Sequence, residues 1–180
     1  MRKRVAFVVS GVVLGAVLVL AVASYATAQG GKANLKAGEL NGYEENPDVS
    51  SAASGSFEVS IDDAAQELTY ELSYGGLEGN VLQAHIHFGK RAVNGGITVF
   101  LCSNLGNGPA GTPACPPSGT VSRTVGAGDM VALAAQGIAA GEFDELAAAL
   151  RAGHAYANVH SSLFPGGEIR AQINDRNQRD

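Results

Sequence analysis

The stretch Ala84-His85-Ile86-His87-Phe88-Gly89 alternates histidine with apolar residues, which is the period-two pattern of a β-strand. Successive side chains of a strand point to opposite faces, so the apolar residues of this stretch are expected to face a hydrophobic core. They are Ala84, Ile86 and Phe88. His85 and His87 then share the opposite face. The stretch therefore predicts a β-protein that gathers histidines on one side of a sheet.

A second stretch, Gly153-His154-Ala155-Tyr156-Ala157-Asn158-Val159-His160, repeats the alternation. Its small and apolar residues are predicted to face the core. The larger polar residues are predicted to face outward: His154, Tyr156, Asn158 and His160. Every histidine of the chain thus falls on a non-core strand face. A Pro165-Gly166-Gly167 turn follows and leads into a strand that carries Glu168 and Arg170 on one face.

The rest of the chain is interrupted about every ten residues by Gly, Pro, Asn or Asp, which is typical of many short strands. Segments 55–61 and 67–74 both alternate, and together they predict a β-hairpin. The buried face of its first strand is expected to carry Phe57, Val59 and Ile61. Segments 96–101 and 119–125 predict further strands.

One segment, residues 142–152, has the pattern of a helix. Apolar side chains recur at helical spacing: Phe143, Leu146, Ala147 and Leu150. Acidic residues occupy the first turn and Arg151 the last, as the helix dipole favours. The chain is therefore predicted to be all-β, an antiparallel β-sandwich or flattened barrel with one short amphipathic helix.

The N-terminus has the features of an export signal. Met1-Arg2-Lys3-Arg4 is positively charged, Val5 to Ala23 is almost wholly apolar, and Ala26-Thr27-Ala28 has the small-x-small cleavage pattern. Residues 1–28 are therefore predicted to be a signal peptide, with cleavage after Ala28. The alternative is an uncleaved membrane anchor, because the apolar run is long enough to span a bilayer. Both readings place the remainder outside the cytoplasm.

Cleavage leaves 152 of the 180 residues, the size of one ordinary domain. Residues 29–38 are predicted to be a polar tether, 39–174 the folded domain, and 175–180 a polar tail. Loss of three basic residues leaves nine against 17 acidic ones, a formal net charge of −8. An acidic chain without a basic cluster is a poor ligand for nucleic acid, so no nucleic-acid partner is expected.

The two cysteines, Cys102 and Cys115, flank a loop rich in glycine and proline. In an exported protein, such a pair is most simply a disulfide that closes the loop. A redox-active or metal-binding pair is the alternative, but the spacing lacks the two-residue gap that such sites favour.

No motif in the chain indicates an enzyme. The sequence contains neither a Gly-x-Ser-x-Gly elbow, nor a phosphate-binding glycine loop, nor a zinc-protease helix motif. Ser161 and Ser162 follow His160 directly, and adjacency along a strand does not align a catalytic triad. No catalytic residue is therefore predicted.

A metal site is the most specific chemistry that the histidines suggest. His85 and His87, two positions apart on a strand, point towards the same space, and His160 is the expected third ligand. His154, farther along the same face, is a further candidate. An all-histidine site outside the cytoplasm favours copper or zinc. The residues predicted to support the site are Glu168, Arg170 and Asn158, with Glu168 orienting a ligand histidine.

A structural alternative remains open for the same residues. His85 and His87 can hydrogen-bond neighbouring strands or loops and hold the polar face of the sheet together without a metal. Glu168 and Arg170 can likewise pair with residues on adjacent strands.

The motifs together resemble the CHRD domain. The matching stretches lie in order along the chain: Leu40–Pro47, Ala84–Gly89, Gly153–Ser161 and Pro165–Gln172. The resemblance implies an extracellular, immunoglobulin-like β-sandwich or barrel. No catalytic residues are established for that family, so the resemblance supplies none here.

We therefore expect a secreted, non-enzymatic protein with a binding or structural role at the cell surface, whose partner is an unidentified protein or surface ligand. Two alternatives stay open: a copper- or zinc-binding protein that uses the histidine cluster, and a membrane-tethered interaction module that retains the N-terminal segment.

Overall fold

A computed structural model describes residues 31–173 of the chain, and within this range the protein is an antiparallel β-structure with one α-helix. The strands are β1 (Ala33–Lys36), β2 (Leu40–Asn41), β3 (Ser54–Asp62), β4 (Glu67–Gly75), β5 (Val81–Phe88), β6 (Gly96–Ser103), β7 (Gly119–Gly126), β8 (Ala155–Ser161) and β9 (Ile169–Ile173). The helix, α1, covers Phe143–Arg151. The predicted fold class and the predicted helix are confirmed.

The strands form one sheet of nine, in the order β6-β5-β8-β9-β2-β3-β4-β7, with β1 paired to β3. The first and last strands of this path also contact each other, so the sheet is nearly closed, as in a barrel. Of the two predicted architectures, the structure adopts the barrel-like one. The hairpin of β3 and β4 pairs in continuous register from Ser54 opposite Gly75 to Asp62 opposite Glu67.

The hydrophobic core lies inside this curved sheet. Phe57, Val59 and Ile61 of β3 are all buried, as their alternation predicts. Helix α1 packs against this core through its buried apolar residues Phe143, Leu146 and Leu150, which belong to the same cluster. Burial of a side chain of this size contributes about 1.5–3 kcal/mol, so the apolar stripe explains why the helix docks where it does.

Two further features are a disulfide on β6 and the pairing of the short strand β1. Cys102 of β6 and Cys115 form a disulfide, as predicted. Strand β1 pairs with β3, with Leu35 opposite Val59. Its residues lie inside segment 29–38, which is predicted to be a polar tether, so this part of the segment belongs to the sheet instead.

The second face of β5, β8 and β9 differs from its expectation. We expected His85 and Asn158 to lie on an outward face, yet their exposed fractions are 0 % and 2 %. Loops fold over this face, so the sheet has a hydrophobic layer on one side and a buried polar layer on the other. Alternation predicts which side chains share a face, but it carries no information about what covers that face.

The alternation also predicts, wrongly, that Phe88 belongs to the hydrophobic core. It is half-buried and lies outside the hydrophobic core, whereas Ala84 and Ile86 are fully buried. The pairing of β5 with β6 shifts register between Ile86 and His87, and such an irregularity breaks strict alternation at the end of the strand.

Within residues 31–173, no helix is both long and apolar enough to cross a membrane. The predicted signal peptide, residues 1–28, and the predicted tail, residues 175–180, lie outside the described residues.

Candidate metal centre

Three of the four histidines meet in the buried polar layer. His85 and His87 come from β5 and His160 comes from β8. The antiparallel pairing places His85 opposite Asn158 and His87 opposite Tyr156, so the side chains of both strands enter the same layer. One ring nitrogen from each histidine lies within 4.8 Å of the other two. All three side chains are buried, with exposed fractions of 0 %, 7 % and 6 %.

Backbone carbonyls fix the orientation of two of these rings. Nδ1 of His87 donates to the carbonyl oxygen of Gly95 at 3.0 Å, and Nδ1 of His160 donates to that of Pro165 at 3.1 Å. A neutral imidazole carries one N–H, so Nε2 of each of these histidines holds a lone pair. Histidines that bind metals almost always donate their other ring N–H in this way.

The protein satisfies only one of the three lone pairs in the cluster. Nδ1 of His160 carries the N–H that it donates to Pro165, so its Nε2 accepts from Nδ1 of His85 at 3.2 Å. Among the described residues, Nε2 of His85 and Nε2 of His87 are buried and have no hydrogen-bond partner. A buried polar atom without a partner costs free energy, so a group that accepts these two lone pairs would stabilise the site. Oε2 of Glu168 and Oε1 of Gln172 are buried in the same way.

Burial also keeps the cluster neutral. It lowers the pKa of His85 to about 2 and that of His87 to about 4, and the pKa of His160 is lowered as well. The neighbouring histidines act in the same direction on His85 and His87, because each disfavours a positive charge on the next. At neutral pH each ring is therefore neutral and keeps one lone pair, on Nε2, as metal binding requires. The lone pair of His160 must give up its bond from His85 before it can bind a metal.

Aromatic rings pack against the cluster. The edge of Phe100 meets the His85 ring with centroids 4.5 Å apart, and the Tyr156 ring stacks on His87 at 4.7 Å. The guanidinium of Arg170 stacks on the same tyrosine, with its central carbon 3.4 Å from the ring centroid. Because His87 occupies one face of the Tyr156 ring, Arg170 lies against the opposite face. These contacts hold the histidine rings in place and leave them almost wholly buried.

Loop residues complete the polar layer above the sheet. Arg170 donates to the carbonyl oxygens of Lys90 and Val93 at 3.1 and 3.0 Å, and Gln172 donates to that of Gly89 at 2.8 Å. These bonds tie the loop between β5 and β6 to strand β9. The same loop supplies Gly95, which holds His87.

Glu45 belongs to this layer and was not predicted as a site residue. The Asn158 amide donates to its Oε1 at 2.5 Å. Burial raises the pKa of Glu45 to about 7, although the bond from Asn158 and the charge of Arg170 both act to lower it. The sequence signal lay in the Leu40–Pro47 stretch, which carried part of the family resemblance but has no strand or helix periodicity to place its side chains.

The structure separates two predicted residues from the cluster. Oε1 of Glu168 accepts from Ser51 Oγ and from the Glu78 backbone N–H, both at 2.7 Å, and not from a histidine. His154 precedes β8 on an exposed turn next to the end of α1, and it is not part of the three-histidine group. Asn158 and Arg170 lie in the polar layer, as neighbours of the cluster rather than as ligands.

The donor set limits the ions that fit. The group consists of three imidazoles and, among the described residues, contains no carboxylate or thiolate. Imidazole suits copper and zinc, whereas magnesium and calcium require oxygen ligands. A metal with bonds of 2.0–2.1 Å to three nitrogens needs them about 3.5 Å apart, so the rings must close by roughly 1 Å from the widest separation.

The fold and the site thus define an antiparallel, barrel-like β-protein with a buried all-histidine cluster. The family model of the CHRD domain matches residues 37–173, and the chain belongs to that family. No curated protein and no solved structure matches the chain.

Proposed function

We propose that this protein is an exported, non-enzymatic CHRD-domain protein that binds a transition-metal ion, copper or zinc, through His85, His87 and His160. The observation that supports this function is the convergence of the three rings, with one nitrogen from each within 4.8 Å of the others. The sequence alone favours a binding or structural role and leaves metal binding as the second hypothesis. The convergence of the three rings makes metal binding the better supported of the two.

The support for a binding role comes from the environment of the rings. Two are held by backbone carbonyls through Nδ1, and two Nε2 atoms are buried without partners in the described part of the chain. A role in binding rather than catalysis is supported by burial. The least buried histidine of the cluster is 7 % exposed, which leaves little room for a substrate.

Export is part of the proposal. The disulfide between Cys102 and Cys115 is compatible with an oxidising compartment, and the N-terminus has the features of a signal peptide. The intact mass of the protein recovered from its host tests this point. A mature chain that begins at Gln29 supports export with cleavage, and retention of Val5 to Ala23 supports the membrane-tethered form instead.

Metal analysis of the untagged protein tests the binding function. We expect at least about 0.5 equivalent of copper or zinc per chain after dialysis against both ions. The metal should be lost in His87→Ala and retained in His154→Ala, because only the first of these residues belongs to the cluster. A dissociation constant weaker than about 0.1 mM for both ions, unchanged in His87→Ala, would contradict the proposal.

A second candidate function is the metal-independent role at the cell surface. The observation in its favour is that His87 and His160 already join the sheet to its covering loops through Gly95 and Pro165. In that case His87→Ala should lower the stability of the metal-free protein while the wild type binds no metal.

A further inference from the structure

We propose that the histidine cluster selects Cu(I) over Zn(II) and Cu(II). This inference rests on the proposed function and specifies its ligand: a monovalent copper ion held by three neutral imidazoles. Three features of the site lead to it, namely the charge of the donor set, the number of donors and the fixed cation beside them.

The charge of the donor set favours a monovalent ion. The cluster holds three imidazoles and, within residues 31–173, no acidic group or thiolate among its donors. The free-energy cost of burying an ion grows with the square of its charge, so a dication costs about four times as much as a monocation in the same surroundings. Zn(II) or Cu(II) would need an anion to offset this cost, and Cu(I) does not.

The number of donors also favours Cu(I). Zn(II) prefers four tetrahedral ligands and Cu(II) a tetragonal set, whereas the singly charged Cu(I) ion accepts two or three. Hydrocarbon and aromatic atoms flank the rings, with Phe100 at 4.5 Å from His85 and Tyr156 stacked on His87 at 4.7 Å. With the three rings at most 7 % exposed, a water molecule has little access as a fourth ligand.

Arg170 adds a fixed positive charge next to the site. Its guanidinium lies 3.4 Å from the centroid of the Tyr156 ring, whose other face covers His87. Glu45 of the polar layer acts on Arg170 as a partial counter-charge, and its carboxyl group is itself bonded to Asn158. Repulsion from Arg170 is twice as large for a dication as for a monocation, which widens the preference for Cu(I).

Competition titrations compare the ions. The untagged protein is titrated without oxygen against the Cu(I) complex of bicinchoninate, and separately with Zn(II) and Cu(II) against chromogenic chelators. We expect about one equivalent of Cu(I), bound at least about 100-fold more tightly than Zn(II). His154→Ala should bind Cu(I) as the wild type does, and His87→Ala should bind it at least about 100-fold more weakly.

The outcomes separate this inference from the proposed function. If Zn(II) or Cu(II) binds as tightly as Cu(I), and His87→Ala loses that binding, the selectivity is wrong and the metal-binding function stands. If the wild type binds none of the ions, both are wrong. Because His87→Ala can fail to fold, X-ray absorption of the copper-loaded wild type provides a second readout. Three nitrogen ligands and a Cu(I) edge support the inference, and a four-coordinate Cu(II) spectrum overturns it.

Discussion

The imidazole of His87 lies flat against the phenol ring of Tyr156, with centroids 4.7 Å apart and planes 3° from parallel. The two residues are direct partners across β5 and β8. The Tyr156 hydroxyl also accepts from the backbone N–H of Gly95 at 3.1 Å, and the carbonyl of the same glycine holds His87. Tyr156 therefore fixes both the plane of the His87 ring and the loop that orients it.

Removal of the Tyr156 ring should weaken metal binding. We expect Tyr156→Ala to lower the Cu(I) affinity by about 10–100-fold, the usual effect of losing a group that orients a ligand. Tyr156→Phe keeps the stack and loses only the contact with Gly95, so its affinity should fall less. The competition titration with bicinchoninate measures both variants. Wild-type affinity in Tyr156→Ala would show that the stack does not position His87.

Two adjacent glycines offer a matched test of how tightly the polar layer is closed. Gly167 has a φ of +138°, and a Cβ at this position would lie 2.5 Å from Glu45 Oε1 and 2.7 Å from Asn158 Nδ2. A Cβ added to Gly166 would have no neighbouring heavy atom within 4 Å. Gly167→Ala should lower the free energy of unfolding by more than about 2 kcal/mol, and Gly166→Ala should change it by less than about 0.5 kcal/mol. Urea denaturation distinguishes these values, and equal effects would contradict the packing described here.

The metal-free protein should lose stability as the pH falls from 7 towards 4. An unfolded histidine takes up a proton near pH 6.5, whereas the folded pKa values of His85 and His87 are about 2 and about 4. Between these limits the unfolded state binds more protons, so acid favours unfolding. His87 alone should contribute a loss of roughly 3 kcal/mol at pH 4.

Glu45 has the opposite effect on the pH dependence of stability over part of this pH range. Its folded pKa of about 7 lies above the ordinary 4.5, so the folded state binds the additional proton and its contribution is lost as the pH rises through 7. Three histidines outweigh one carboxyl group, and the net slope should still favour unfolding in acid. Urea titrations at intervals from pH 7 to pH 4.5 measure this slope, with His154→Ala as the control because its side chain is exposed. A flat profile would mean that the buried rings are not held neutral.

The disulfide should matter for stability but not for metal binding. Cys102 and Cys115 are 13 residues apart and both are buried, at 0 % and 5 % exposure. A loop of this length predicts that replacing both cysteines by serine costs about 3 kcal/mol of unfolding free energy. The Cu(I) affinity of the folded double variant should equal that of the wild type, because the cluster lies on β5 and β8. Loss of copper from the folded variant would place Cys102 or Cys115 in the site.

Much of the fold is readable from the sequence because periodicity records which side chains share a face. Phe57, Val59 and Ile61 alternate and are buried, and the apolar stripe of Phe143–Arg151 predicts helix α1. The histidine alternation likewise predicts that His85 and His87 share a face of one strand. These are properties of neighbours along one strand or helix, and local geometry determines them. The position of His160 beside them depends on the pairing of β8 with β5, which the alternation does not specify.

The covering of the polar layer is not readable in this way. Glu45 lies in a segment between short elements, and its contact with Asn158 joins residues 113 positions apart. Glu168 was expected to orient a histidine, yet the structure bonds it to Ser51 and Glu78. Both contacts depend on how loops cross the sheet, for which hydrophobic periodicity carries no signal. The match to the CHRD family identifies the domain, but it does not predict these contacts.

The most direct measurement is the anomalous scattering of copper in crystals of the protein grown with Cu(I) under reducing conditions. The buried imidazoles of β5 and β8 should surround a single peak, with ring nitrogens of His85, His87 and His160 about 2.0–2.1 Å away. Copper found only on His154 or at the surface, with the three rings unchanged, would contradict the account.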